Sequence, residues 1–115
     1  MRRAQATSYH GWRDADGTAH VNADSRPLDP RLDLSNHSPT GFEWGYGGSG
    51  PAQLALAILA DALRNDRLAL KLHQRFKWAV IAKLDRDERW SLHGDEVRRA
   101  AVGFIKNEKT VGQPS

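Results

Sequence analysis

The stretch Gly41-Phe42-Glu43-Trp44-Gly45-Tyr46-Gly47-Gly48-Ser49-Gly50-Pro51 decides the fold, because it opens directly into Ala52-Gln53-Leu54-Ala55-Leu56-Ala57-Ile58-Leu59-Ala60. Five of the chain's ten glycines sit in it, and the most hydrophobic run of the protein follows at once. Glycines at this density mark backbone that needs positive φ or close approach, and proline suits the first turn of a helix. The expected arrangement is a short strand over residues 42–44, a glycine loop and a buried central helix over about residues 51–64. Gly50 is the expected N-cap, with Gln53 at N3 reaching back to the cap amide. Leucine, alanine and isoleucine all round the helix predict that every face is covered.

Outward from this element, the N-terminal side reads as β structure. Residues 8–13 and 18–22 flank Asp14-Ala15-Asp16-Gly17, and an Asp-Gly pair between β-prone segments predicts a hairpin. Alternation puts Tyr9, Gly11 and Arg13 on one face, with His10 and Trp12 on the other. Residues 24–40 contain Pro27, Pro30 and Pro39 among many Asp, Asn and Ser side chains, so an extended, turn-rich connection is expected. Leu28, Leu32 and Leu34 are its candidate anchors. It delivers the polar cluster Asn36-His37-Ser38-Pro39-Thr40 to the glycine loop.

The C-terminal side reads as helices. Asn65 or Asp66 caps a second helix, in which Ala69, Leu72, His73, Phe76 and Val80 recur at helical spacing. Trp90-Ser91-Leu92 is a short extended piece. A third helix follows, with Asp95 and Glu96 in its first turn and an apolar stripe of Val97, Ala100 or Ala101, Phe104 and Ile105. Strands first and helices later predict an α+β fold: a small N-terminal antiparallel sheet, a hairpin plus a short strand, packed on three α-helices. The 115 residues make one domain, 1–115, with tails at 1–7 and 110–115.

Composition narrows the chemistry. The absence of cysteine excludes disulfides, thiolate catalysis and cysteine-ligated zinc, and points to a cytoplasmic protein. The longest apolar run stops at Asp61, short of the roughly 20 residues a membrane span needs, and Arg2 and Arg3 precede no apolar signal segment. Residues 1–50 carry five basic and six acidic side chains, and residues 51–115 carry twelve and eight. A mildly basic helical half is compatible with nucleic acid or an acidic protein surface, through Arg64, Arg67, Lys71, Arg75, Lys77, Arg98 and Arg99.

Residues 45–50 satisfy the string G-x-G-x-x-G, but a helix rather than a second strand is expected after the loop's helix. No lysine with serine or threonine follows the glycines either. Both named nucleotide motifs are therefore rejected. What remains is a structural glycine corner, which is favoured, or a generic anion site at the helix start. His37 near Ser38, Ser49 and Asp33 is the nearest approach to a nucleophile–base–orienter set, and no nucleophile-elbow signature supports it. The five histidines lack helical zinc spacing, although His10 and His20 can approach across the hairpin. The acid pairs Asp14/Asp16, Asp29/Asp33 and Asp85/Asp87 fall in turns. Among the tryptophans, Trp44 is expected to be presented with Tyr46, whereas Trp78 is expected in the core or at its edge.

The run Leu28-Asp29-Pro30-Arg31 and residues 36–55, with Phe76-Lys77-Trp78 and Trp90-Ser91-Leu92, resembles an uncharacterised family of small bacterial, phage and plasmid proteins. His93 stands where the resemblance would place a threonine-like cap. The resemblance brings no catalytic residues or cofactor. It implies an accessory protein of a mobile genetic element, with a host protein or protein–RNA complex as partner, and inhibition of a defence system (CRISPR or restriction) as one role. The expected function is therefore non-enzymatic binding, with Asn36, His37, Ser38, Thr40, Trp44, Tyr46, Gly47, Gly48 and Ser49 as the partner loop. The alternatives are a phosphate- or nucleotide-ligand protein or enzyme using the glycine loop, and nucleic-acid binding by the basic half.

Overall fold

The computed structural model describes residues 6–111, with side chains through residue 107. Of the two expected tails, residues 1–5 and 112–115 lie outside the described residues. Ala6 is buried and donates its amide to Asp61, and Thr7 hydrogen-bonds Asp24.

Strands β1 (Ser8–Arg13), β2 (Ala19–Ala23) and β3 (Arg26–Pro27) precede helices α1 (Ser49–Leu63) and α2 (Asp66–Ala79), then strand β4 (Trp90–His93) and helix α3 (Gly94–Val111). The sheet is antiparallel in the order β3-β2-β1-β4. The α+β fold is as expected, and the hairpin closes at Gly17, whose φ of +87° suits glycine. Two strands differ from expectation. Residues 42–44 make no strand; Gly41 and Gly45, at φ +137° and +87°, bracket them and turn Trp44 inward. The sheet instead gains β3 from the proline-rich connection and β4 from beyond the helices.

The hairpin faces divide as alternation predicts. Tyr9, Gly11 and Val21 face the core, while His10, Trp12 and His20 lie on the outer face. Tyr9 is fully buried and donates its hydroxyl to Asp61 of α1 at 2.6 Å. That bond ties sheet to helix. Burial and the neighbouring Asp61 carboxylate push the Tyr9 phenol well above its ordinary range, so it remains a donor.

Helix α1 is the centre, buried at every residue from Gly50 to Ala60. Its fully enclosed Leu54, Leu56, Ile58 and Leu59 each contribute on the order of 1.5–3 kcal/mol by transfer from water. It begins earlier than expected, at Ser49 with Gly48 as N-cap, and makes no side-chain cap bond. Gln53 is freed for another task. Helix α2 is capped by Asn65, whose side chain accepts from the Leu68 amide, and ends at Ala79. Val80, expected on the helical stripe, is instead the C-cap, and a 3-10 turn over Ile81–Lys83 follows. At the start of α3, Glu96 accepts from the His93 amide, so glutamate supplies the cap contact. Leu28 is buried and Leu34 packs against the core, but Leu32 is exposed and anchors nothing.

Candidate functional site

Two adjoining lengths of chain enter α1: a polar strap, residues 36–40, and a glycine corner, residues 41–50. The strap has no regular hydrogen-bond ladder of its own. Its backbone is held by Gln53, whose side chain is completely buried. The Gln53 carbonyl accepts from the His37 and Ser38 amides at 2.7 and 3.0 Å. Its amide donates to the Pro30 and Ser35 carbonyls at 2.7 and 3.0 Å. One side chain thus satisfies four part-buried backbone groups.

The His37 ring meets His73 of α2, Nε2 to Nε2, at 2.9 Å. His73 donates Nδ1–H to the Leu70 carbonyl at 2.8 Å, which in the neutral ring leaves Nε2 as an acceptor. His37 is therefore the donor in the pair. Burial, with His37 and Lys77 adding repulsion, holds the His73 pKa below the ordinary histidine value.

The corner is built by packing. Trp44 is fully buried, set edge-on to Trp90 with ring centroids 5.6 Å apart. Arg13 lies over the Trp44 ring and donates to both Glu43 carboxylate oxygens. Trp90 in turn lies on Gly11, where a Cβ would sit 2.3 Å from the indole. The corner glycines show the same logic. A Cβ would stand 2.7 Å from Arg86 at Gly45, 2.1 Å from the Trp78 ring at Gly47, 2.5 Å from the Tyr46 ring at Gly48 and 2.7 Å from Glu43 at Gly50. Protein atoms fill the space above each of these glycines. That favours the structural corner over a phosphate cradle.

The rings lying on Gly47 and Gly48 form a platform. Trp78 is 59% exposed and Tyr46 39%, each with a cation at its ring: Lys77 Nζ lies 4.4 Å from the Trp78 centroid and the Arg86 guanidinium 4.9 Å from that of Tyr46. Lys77 is itself buried and donates to the Gly47 carbonyl at 3.4 Å. The expected pairing of tryptophans is thus reversed. Trp44 is core, because Gly41 and Gly45 aim it at Trp90, and Trp78 is presented, because α2 ends just after it.

The other candidates disperse. Ser38 Oγ donates to the Gly41 carbonyl and Asp33 pairs with Arg31, so neither joins His37 in a catalytic set. Asn36, Thr40 and Ser49 are exposed. His10 bonds Ser8 and Ser91, while His20 bonds Asp14 and stacks on Trp12. Of the basic residues, Arg67, Lys71 and Arg75 share the exposed face of α2 that ends in Trp78. Arg75 also packs on Phe104 and donates to its carbonyl. Arg98 bonds Asp95 and the Ala62 carbonyl, Arg99 is exposed on α3, and Lys77 is under the platform.

Arg64 lies elsewhere, at the αL C-cap of α1, beside a polar cavity of about 420 Å³ lined by Asp29, Arg31, Asp61 and Asp66 among others. Arg31 bridges Asp33 and Asp66 there and, like Arg64, has positive φ. This cavity was not anticipated, since its residues come from two stretches far apart in sequence, 28–31 and 57–66. Gln53 and His73 were also missed as strap holders; the available signal was a polar side chain inside an apolar run for Gln53 and on the apolar stripe of α2 for His73.

A model described as a family of unknown function (DUF6166) matches residues 9–103, so the chain belongs to that family. No curated protein and no solved structure matches it. Among the described residues, no helix is long and apolar enough to cross a membrane.

Proposed function

We propose that this chain is a non-enzymatic binding protein that docks on an acidic surface of a partner protein through the platform of Tyr46 and Trp78. The observation that carries the reading is Trp78: more than half exposed, yet seated on Gly47 and backed by Lys77. An exposed tryptophan with its rotamer fixed loses little entropy on binding, and such rings dominate the energetics of protein interfaces. Arg86 and the α2 face bearing Arg67, Lys71 and Arg75 frame it with positive charge, which steers an acidic partner.

The family resemblance supplies the biological setting of the proposal. The chain acts in the cytoplasm as an accessory factor of a mobile genetic element, such as a phage, and occupies a surface on a host protein or protein–RNA complex. A CRISPR or restriction complex is the proposed target, inhibited by occupancy. The test is a matched pull-down from host lysate with wild type, Trp78→Ala and Tyr46→Ala, at low and moderate salt. A stoichiometric partner held by wild type and lost from both variants is expected, with folding stability changed by no more than about 1 kcal/mol because both rings are exposed. Recovery of no stoichiometric partner, or equal recovery by all three chains, overturns the proposal.

A further inference from the structure

The strap and the platform meet the same edge of α2 one turn apart. His73 receives His37, and Lys77, four residues on, receives Gly47. The first contact is the only one of the two that depends on proton count.

In the neutral pair, His37 Nε2–H donates to His73 Nε2, since His73 Nδ1–H is committed to Leu70. One added proton does not break the contact. If it enters at His73 Nε2, His37 moves its own proton to Nδ1 and accepts; if it enters at His37 Nδ1, the original bond stays. A second proton gives both Nε2 atoms an N–H, and two donors then face each other at 2.9 Å. We infer that the His37–His73 pair is a proton latch, which holds the strap on α2 while it carries at most one added proton and releases it when both rings are charged.

The groups around the pair oppose that second charge. Lys77 on α2 is cationic, Gln74 beside His73 is neutral, and α1 presents Gln53, whose amide is bound to strap backbone. Arg31, earlier in the connection, is held by Asp33 and Asp66. The burial that depresses His73 acts in the same direction. The sign follows. A folded chain that binds the second proton more weakly than the unfolded chain gains stability as pH rises. The closed latch therefore contributes fully above about pH 6.5, the ordinary histidine value, and its contribution falls as pH drops below it. The consequence for partner binding rests on the platform reading; the latch itself does not.

The test is an NMR titration of the isolated chain from pH 8 to 4.5, following the ring signals of His37 and His73 and the amides of His37, Ser38 and Gly47. Coupled titration predicts two steps, with the second below the ordinary histidine range. The His37 and Ser38 amides are expected to shift with that second step, as the His37 ring leaves α2 and only Gln53 still holds them. In His37→Gln, which removes the facing charge and keeps a polar side chain, the His73 midpoint is expected to move up, and the strap amides no longer follow it. Independent single-step titration of the two rings with a static strap overturns the latch, as does identical strap behaviour in His37→Gln. No partner is used, so a failed latch and a failed docking surface are told apart.

Discussion

Residues 36–40 and residues 41–50 are neighbours in one connection, yet opposite forces hold them. The strap is fixed by hydrogen bonds, two from its own amides to Gln53, which also holds Pro30 and Ser35 just upstream, and one between two histidines. The corner is fixed by shape, with Trp44 in the core and rings or backbone lying on glycines. Polar fastening is directional, and in its histidine contact it responds to protonation. Packing is indifferent to pH and intolerant of a methyl group where backbone lies on the glycine, as at Gly45. The proposed partner loop thus joins a half fixed by packing, which presents aromatics, to a half with one titratable fastening.

The sharpest way to break the contrast is to empty the corner. Trp44→Ala removes a fully buried indole and its edge contact with Trp90, and is expected to cost about 3–5 kcal/mol. Denaturant melts read this directly, and the loss is expected to be the same at pH 5 and pH 7.5. The strap comes next. Gln53→Met keeps volume but strips the partners from two N–H and two carbonyl groups, for about 2–3 kcal/mol. Amide exchange at His37 and Ser38 is expected to rise while the core amides of α1 stay protected. If Gln53→Met instead unfolds the whole protein, the strap is part of the core and the contrast fails.

The two halves also differed in how far residues alone revealed them. Shape left a trace, because dense glycine ahead of an all-apolar helix announces close packing, and residues 50–60 are indeed buried throughout. Which ring lies on which glycine did not. Trp44 and Trp78 both stand near glycine or a helix end, and only the φ values of Gly41 and Gly45 and the stop of α2 at Ala79 separate the core ring from the presented one. The polar fastening was less legible. Gln53 sits at a position where a capping role is reasonable, and its real partners lie 15 to 23 residues upstream. His73 reads as one more member of a helical stripe. β4 was visible as an extended piece, but its place beside β1 depends on the path of the two helices between them.

The smallest expected effect makes the finest cut, between two glycines of the same corner. Gly45 has φ +87°, and a Cβ there meets the Arg86 Cα at 2.8 Å, so Gly45→Ala combines left-handed strain with a backbone clash. About 2–4 kcal/mol is expected. Gly47 is not in the left-handed region, and its added methyl meets first the rim of the Trp78 ring, an exposed side chain that can give way where the Arg86 backbone cannot. Gly47→Ala is therefore expected to cost less than about 1 kcal/mol in a thermal melt. Its effect should surface in Trp78 fluorescence, as the ring leaves Lys77 and the platform loses its fixed geometry. Equal destabilisation by the two substitutions would mean that Trp78 is braced as firmly as backbone, and the corner would then be a single rigid body up to its exposed edge.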